Sequence, residues 1–199
     1  MLQPADLTPF LRAFAEEAGA DLAARNVRIE LESFPGPAPV RMDPPRLSRL
    51  LHNLCNNAVD AMPRGGRIML RLRLQPGSAE LELEDTGPGI PAAVADRLFT
   101  PFATHGKAGG TGLGLSICRR IAEDHGGSIA VAPGETGRGA RFVLLLPLTV
   151  AGGQHRGQNG DGRMAHPERI GVDDIVIVQR MRHGAICIRR EAGVGLEPA

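Results

Sequence analysis

The sequence contains no tryptophan and no tyrosine, and it has only six phenylalanines among 199 residues. Proteins that bind single-stranded nucleic acid usually stack the bases on aromatic side chains, so this composition argues against that function. No sign of charge predominates either, because 23 Lys and Arg stand against 22 Asp and Glu, for a formal net charge of +1. We therefore expect no electrostatic attraction to nucleic acid or to anionic membranes.

Long apolar runs are also missing. The longest candidate, Phe142–Val150, is interrupted by Pro147 and is far shorter than the roughly 20 residues that cross a bilayer. The N-terminus has no basic region followed by an apolar run, so no signal peptide is apparent. The three cysteines, Cys55, Cys118 and Cys187, are widely separated, which is typical of unpaired thiols in a reducing compartment. These absences favour a cytoplasmic protein that makes no membrane contact of its own.

Hydrophobic periodicity predicts a mixture of helices and strands over residues 1–150. The predicted helices cover residues 5–24, 45–62 and 115–124, with a further short helix after Pro91. The predicted strands cover residues 27–31, 68–74, 79–83, 129–132 and 140–146. This order favours an α/β (α+β) two-layer sandwich, in which a mixed, mostly antiparallel sheet is covered on one face by helices.

Residues 151–199 have a different composition. Residues 151–171 are rich in glycine, polar residues and histidine, which indicates a flexible linker. Asp174–Val178 and Ala185–Ile188 are possible short strands in an otherwise unassigned tail. We predict one domain over residues 1–150, followed by this linker and tail, to which the sequence assigns no function.

The helix over residues 45–62 carries the first group of polar residues with chemical potential. Asn53, Asn57 and Asp60 are spaced by four and three residues, so they share one side of the helix. That side borders the apolar face, where a ligand could complete their hydrogen bonds. An asparagine carbonyl oxygen is also a suitable ligand for Mg²⁺. For the helix taken alone, a solvated flank is an equally good interpretation.

The second group is Asp85 with the glycines that follow it. Strand alternation places Asp85 in phase with Leu81 and Leu83, so its carboxylate should face the core. A buried carboxylate needs a donor, which the exocyclic amine of adenine could supply. Gly87 and Gly89 would allow the backbone to approach a flat ring closely. The alternative is a plain turn, but the in-phase aspartate favours a binding site.

The third group is the glycine-rich segment Gly109–Ser116, which leads into a helix. Free backbone N–H groups and the helix dipole favour phosphate binding at such a helix start. Lys107, just before the segment, could add a positive charge. The run of glycines is a weak signal alone, and it matches neither the dinucleotide fingerprint nor the Walker motif.

Taken together and in this order, the segments resemble the boxes of the histidine kinase branch of the GHKL ATPases. Leu51–Met62 resembles the asparagine box, Asp85–Ile90 the first glycine box, Leu98–Phe102 the phenylalanine box and Gly110–Leu115 the second glycine box. The resemblance covers about residues 5–148 and implies the Bergerat-type fold of that superfamily. Four ordered boxes are far more specific than any one of them.

The resemblance implies an ATP site with Mg²⁺. Asn57 would coordinate the ion on the ATP phosphates, Asn53 would assist, and these two are the implied catalytic residues. Asp85 would accept a hydrogen bond from the adenine amine, and Lys107 would lie near the phosphates within a lid over about residues 103–112. The implied nucleotide-binding residues are Asn53, Asn57, Asp60, Asp85, Gly87, Gly89, Ile90, Lys107, Gly110, Thr111, Gly112, Leu113, Gly114 and Leu115.

Two departures from the family pattern bear on function. None of the six histidines has the acidic residue and proline that usually follow the phospho-accepting histidine of this family. The implied partner is therefore a histidine-bearing dimerisation domain, acting in trans or from a missing upstream segment, and indirectly a response regulator. The chain should be inactive without that domain. Ala140 also stands where many relatives carry a hydroxyl residue near adenine, which would weaken one water-mediated contact.

Three other functions remain open at this point. Gyrase- and MutL-type relatives hydrolyse ATP with a glutamate at the position of Asn53, and asparagine cannot act as a general base, so hydrolysis to water is disfavoured. A serine kinase resembling anti-sigma factors would use the same ATP site, but the boxes match histidine kinases better. A nucleotide-binding interaction module without transfer activity is the alternative from a different class.

Overall fold

The computed structural model describes residues 1–91, 97–100, 112–134, 138–149, 178–180 and 186–188. The chain divides into two compact units, Met1–Gly153 and Gln154–Ala199. The described helices of the first unit are α1 (Leu7–Ala23), α2 (Pro44–Ala61) and α3 (Gly114–Asp124). Its described strands are β1 (Gln3–Asp6), β2 (Val27–Glu32), β3 (Pro39–Met42), β4 (Gly66–Gln75), β5 (Ser78–Asp85), β6 (Ser128–Pro133) and β7 (Ala140–Pro147). In the second unit, β8 (Val178–Arg180) pairs antiparallel with β9 (Ile186–Ile188).

Five strands form the main sheet in the order β2-β4-β5-β7-β6. Only β2 and β4 run parallel, and the other neighbouring pairs are antiparallel. The strands β1 and β3 form a separate two-stranded sheet, which a single bridge between Val40 and Leu148 joins to the end of β7. The sheet is therefore mixed and mostly antiparallel, which confirms the predicted fold class.

Helix α1 buries the five apolar residues that its sequence spacing predicts: Leu7, Leu11, Phe14, Ala18 and Leu22. Asp6 caps the helix by accepting a hydrogen bond from the backbone N–H of Thr8 at 3.0 Å. The same Asp6 oxygen accepts from the N–H of Ala38 at 3.0 Å, so the cap also holds the loop that leads into β3. The buried face of α1 packs against β2.

Helix α2 begins after Asp43, whose side chain accepts from the backbone N–H of Arg46, and prolines occupy its first turn. It buries Leu47, Leu50, Leu51, Leu54, Cys55 and Ala58. Ala61 continues the apolar spacing of this face, but it is only half-buried, whereas Cys55 is buried. The buried face of α2 is therefore shifted toward the side of the helix on which Cys55 lies.

The helices form one layer and the sheet forms the other. On the sheet, alternate residues such as Ile68, Leu70, Leu81, Leu83 and Leu144 are 2% exposed or less and face the helices. Helices α1, α2 and α3 pack against β2, β4 and β6–β7 respectively. Burial of this apolar area, at roughly 25 cal/mol per Å², is what holds the two layers together.

The opposite face of the sheet carries an ion-pair network, which we call the outer-face cluster: Arg71, Glu82, Glu84 and Arg141. Arg71 contacts Glu84 at 2.6 Å and Glu82 at 3.7 Å, and Arg141 contacts the other oxygen of Glu82 at 3.0 Å. Arg71 belongs to β4, and Glu82 and Glu84 belong to β5. The network extends to β7, and it buries Glu82, whose side chain is 4% exposed, beneath the two arginines.

Two strands were missed by the sequence analysis, and several predictions fall outside the described residues. Strands β1 and β3 contain four residues each and show no clear alternation. The predicted helix after Pro91 and the predicted linker over residues 151–171 lie outside the described residues. The predicted boundary at residue 150 stays a prediction. Among the described residues, no helix is both long and apolar enough to span a membrane.

Candidate functional site

Helix α2 presents its three predicted site residues at the edge of the buried face, as the spacing indicated. Asn53 and Asn57 are half-buried, and Asp60 is exposed. The Asn53 side-chain nitrogen Nδ2 is shielded from solvent and has no hydrogen-bond partner among the described residues. An unsatisfied buried donor costs roughly 1–3 kcal/mol. A ligand that offered an acceptor oxygen here would relieve that cost.

Helix α3 runs antiparallel beside α2, and two contacts fix its register. The backbone N–H of Asp43 donates to Nε2 of His125 at 3.0 Å. The thiol of Cys118 donates to the carbonyl oxygen of Leu50 at 3.7 Å. From the first contact to the second, α2 advances by seven residues, from Asp43 to Leu50, and α3 goes back by seven, from His125 to Cys118. The two helices therefore run in opposite directions with the same rise of about 1.5 Å per residue.

This register places the start of α3 beside the asparagines of α2. Three residues beyond Leu50 is Asn53, and three residues before Cys118 is Leu115, so Asn53 and Leu115 lie at the same level. Asn57 lies about one turn further, level with the chain that enters α3. The asparagine side of α2 and the glycine-rich start of α3 therefore converge, although 50 residues or more separate them in the sequence.

The first turn of α3 offers free backbone N–H groups. The first four N–H groups of any α-helix lack a partner within the helix, and Leu113 at the cap position provides no side-chain acceptor. No acidic residue lies in the first turn. A Cβ built on Gly114 would meet no atom of the described residues within 4 Å, so none of these residues fills the space beside this turn. The turn can therefore bind an anion such as phosphate.

Asp85, the last residue of β5, has the buried position that strand alternation predicted. It is 4% exposed. Its Oδ1 accepts hydrogen bonds from the backbone N–H groups of Gly87 at 2.8 Å and Ala140 at 3.2 Å. Burial raises the pKa of this carboxyl above its ordinary value of 3.8, while the two N–H donors act in the opposite direction. Because Oδ1 is occupied, Oδ2 is the oxygen that can accept from a ligand amine.

Close backbone packing shapes the wall beside Asp85. Gly89 has a φ of 83°, and a Cβ there would lie 2.9 Å from the carbonyl oxygen of Gly139. Gly139 has a φ of 77°, and its Cβ would lie 1.8 Å from the carbonyl oxygen of Asp85. Gly87 lies against Ala61 of α2, and Ile90 packs on the core. The first glycine box is thus pressed between α2 and the β6–β7 connection.

Phe99, from the predicted phenylalanine box, is 8% exposed and packs edge-on against Phe142, with ring centroids 6.5 Å apart. The guanidinium of Arg119 on α3 lies 5.3 Å from the centroid of the Phe99 ring. A cation that lies over the face of an aromatic ring is attracted to the ring. This pair attaches residues 97–100 to α3, and no local sequence pattern indicates it.

By this register the start of α3, which comprises Gly112, Leu113, Gly114 and Leu115, lies level with Asn53 and Asn57. The segment with Asp85, Gly87, Gly89 and Ile90 contacts the C-terminal end of the same helix, where Gly87 lies against Ala61, about one turn beyond Asn57. Lys107, Gly110 and Thr111 lie outside the described residues. The sequence analysis missed the N–H of Ala140 and the contact of Gly139, because both depend on strand pairing. It had considered Ala140 only for its lack of a hydroxyl group.

Comparison with known proteins relates this chain to histidine kinases. Residues 42–150 match the model of the histidine kinase-, DNA gyrase B- and HSP90-like ATPase family. The alginate biosynthesis sensor protein KinB of Pseudomonas aeruginosa is 40% identical over 126 residues, which are 63% of this chain and 21% of KinB. The chain spans between 21% and 32% of the length of the first curated relatives that it matches.

Solved structures agree with the sequence comparison. The catalytic domain of histidine kinase ThkA has a TM-score of 0.67 and 30% identity, over 75% of this chain and 99% of that domain. Full-length ShkA in complex with AMPPNP has a TM-score of 0.64 and 30% identity, over 76% of this chain and 32% of ShkA. Because the family model matches more than half of the chain, and a solved catalytic domain matches over nearly its whole length, the chain belongs to the histidine kinase-, DNA gyrase B- and HSP90-like ATPase family, as the ATP-binding catalytic domain of a sensor histidine kinase.

Proposed function

We propose that this domain binds ATP with Mg²⁺ and transfers the γ-phosphoryl group to a histidine on a dimerisation domain outside this chain. The observation that carries the proposal is the arrangement around α2. A buried carboxylate with one free oxygen lies at the C-terminal end of α2, and the start of α3 lies beside Asn53 and Asn57. The first suits an adenine amine and the second suits phosphates, so one nucleotide can use both.

In this proposal the residues of the chain bind and orient the nucleotide. Oδ2 of Asp85 accepts from the adenine amine, and the N–H groups of the first turn of α3 donate to phosphate oxygens. Asn57 supplies a carbonyl oxygen to Mg²⁺, and Asn53 donates from its buried Nδ2 toward a phosphate oxygen or a bound water. Mg²⁺ commonly keeps several waters and takes few protein ligands, so this small set is sufficient. The ion neutralises charge that develops on the phosphates.

The transfer step breaks the bond between the γ-phosphorus and the bridging oxygen of ADP and forms a bond to a histidine ring nitrogen. The ring proton passes to a base of the acceptor domain. We propose that this domain reaches the site in trans or from an upstream segment, in a two-component phosphorelay in the cytoplasm. A solved complex of ThkA with the response regulator TrrA supports a response regulator as the indirect partner.

The test is titration calorimetry of Mg²⁺–ATP with the unaltered chain and two variants. We expect Asp85→Asn to weaken binding about tenfold or more, because the new amide donor would face the adenine amine. We expect Asn57→Ala to weaken binding mainly when Mg²⁺ is present, so its effect should shrink with EDTA.

Phosphotransfer to a separately supplied acceptor hairpin distinguishes a kinase from a passive nucleotide-binding module. If the unaltered chain binds no adenine nucleotide, the proposed function is wrong. If it binds but never phosphorylates a histidine hairpin of this family, the passive module is the better description.

A further inference from the structure

His125, directly after α3, is a buried histidine that joins two helices. It is 4% exposed. Its Nδ1 lies 2.7 Å from the carbonyl oxygen of Ile121, and its Nε2 lies 3.0 Å from the backbone nitrogen of Asp43. A carbonyl can only accept and a backbone N–H can only donate. The partners therefore require a neutral ring that carries its proton on Nδ1.

This bond, which we call the His125 clasp, connects the end of α3 to the residue that caps α2. It lies at the opposite end of α3 from Gly114, about 15 Å away along a helix of this length. A rigid helix transmits an axial shift from one end to the other. Loss of the clasp would therefore move the start of α3 relative to Asn53 and Asn57.

We propose that His125 is a positioning residue, whose hydrogen bond to the N–H of Asp43 keeps the phosphate-binding start of α3 in register with Asn53 and Asn57. This inference rests on the proposed ATP site. A side chain without an acceptor at the position of Nε2 would leave the N–H of Asp43 without this partner. Nucleotide affinity should then fall.

The carboxylates beside the His125 clasp are paired with other cations. Asp43 pairs with the amine of Met1 at 2.6 Å. Asp124 pairs with Arg46 and with Arg120. The strand β7 contributes the apolar Pro147 and the backbone of Leu145 near the two glycines that follow His125. The clasp is therefore a hydrogen bond between two neutral groups and not an ion pair.

The experiment compares Mg²⁺–ATP binding in the full chain, in His125→Gln and in His125→Leu under the same conditions. The glutamine oxygen can accept from the N–H of Asp43, whereas leucine fills the site without an acceptor. We expect His125→Gln to bind within about threefold of the unaltered chain. We expect His125→Leu to bind about fivefold or more weakly than the unaltered chain.

His52→Leu is the matched control. His52 is on α2, where its Nδ1 contacts the carbonyl oxygen of Ser48 at 2.9 Å within the same helix, and its ring packs edge-on against Phe14 of α1. Its hydrogen bond therefore does not connect α2 to α3. Its replacement should leave the affinity for Mg²⁺–ATP within about twofold of the unaltered chain.

The outcomes separate the two proposals. Absence of binding by the unaltered chain contradicts the ATP site itself. Equal affinities of the unaltered chain and of His125→Leu contradict the clasp and leave the ATP site intact. A measurement without substitution completes the test: nitrogen chemical shifts that show the Nε2–H tautomer of His125 at pH 8 would overturn the inference, even if His125→Gln failed to fold.

Discussion

In the proposed site, the side chain of Asp85 combines a stability cost with a role in binding. Burial favours its neutral form, whereas a nucleotide amine is held best by the charged form. In the folded chain two backbone N–H groups occupy Oδ1, and this part of the arrangement does not depend on a ligand. The other oxygen is kept for binding at some expense of stability, which is common at functional sites.

Asp85→Asn should therefore separate stability from binding. The folded pKa of Asp85 is raised above 3.8, so the native state holds its proton more tightly than the unfolded state does. Its contribution to stability is complete below pH 3.8 and is lost as the pH rises through the folded pKa. Asparagine keeps an acceptor for Gly87 and Ala140 but does not titrate.

Without nucleotide, we expect the free energy of unfolding of Asp85→Asn to equal or exceed that of the unaltered chain at pH 7. The difference in the free energy of unfolding between the two proteins should become smaller toward pH 4. Urea unfolding at several pH values measures this difference. A variant that is markedly less stable at pH 7 but not at pH 4 would mean that the ionised carboxylate is favourable in the fold.

At the scale of elements, the backbone of the connection between β6 and β7 packs closely against the end of β5. A Cβ on Gly139 would lie 1.8 Å from the carbonyl oxygen of Asp85, and its φ is 77°. Gly77, in the β4–β5 turn, has nearly the same φ of 79° but no atom within 4 Å of its Cβ position. The two glycines share a conformational requirement and differ in packing.

Gly77→Ala should cost about 1 kcal/mol, the usual penalty for a left-handed alanine. Gly139→Ala should cost at least about 2 kcal/mol more, because the added methyl group pushes β7 away from the end of β5. Thermal or urea unfolding of both variants measures this difference. Equal losses would show that the backbone conformation, and not the contact, makes glycine necessary at position 139.

Elements with strong periodicity could be predicted from the sequence, and elements defined by distant pairing could not. The apolar spacing of α1 and α2 and the alternation around Asp85 are local signals, and the structure confirms them. Strands β1 and β3 have only four residues each and are strands because they pair with each other across 33 residues or more. Their short sequences carry no period that a local pattern can detect.

The same distinction applies to the candidate site. The polar groups on α2 and the glycine-rich start of α3 were visible in the sequence because helix spacing and helix starts are local features. The N–H of Ala140 on Asp85, and the His125 clasp, depend on strand register and on helix packing. Residue type alone gave no reason to connect positions that lie 55 and 82 residues apart in the chain.

At the scale of the whole molecule, the first unit contains a complete core. Its buried apolar residues run from Leu7 to Leu146 and form one cluster. The family match ends at residue 150. Both observations concern residues 1–150, so we expect this segment to fold and bind without the remainder.

A chain shortened to residues 1–150 should keep the unfolding midpoint of the full chain within about 2 °C, less than a 1 kcal/mol change would produce in a domain of this size. Its affinity for Mg²⁺–ATP should change less than about twofold. Calorimetry of both chains tests the two statements. A clear loss of stability would assign residues 151–199 a structural role, and a loss of affinity alone would assign them a role at the site.

The outer-face cluster constrains how this sequence can change over generations. Glu82 is enclosed by Arg71 and Arg141, and Arg71 also contacts Glu84, so replacing one member of the cluster weakens the pairing of a poorly solvated charge. An apolar set in all four positions could be just as stable, but single steps toward it pass through a costly intermediate. Descendants of this chain should therefore either inherit the four charges together or replace them together, and the four positions should covary in any lineage that departs from this arrangement.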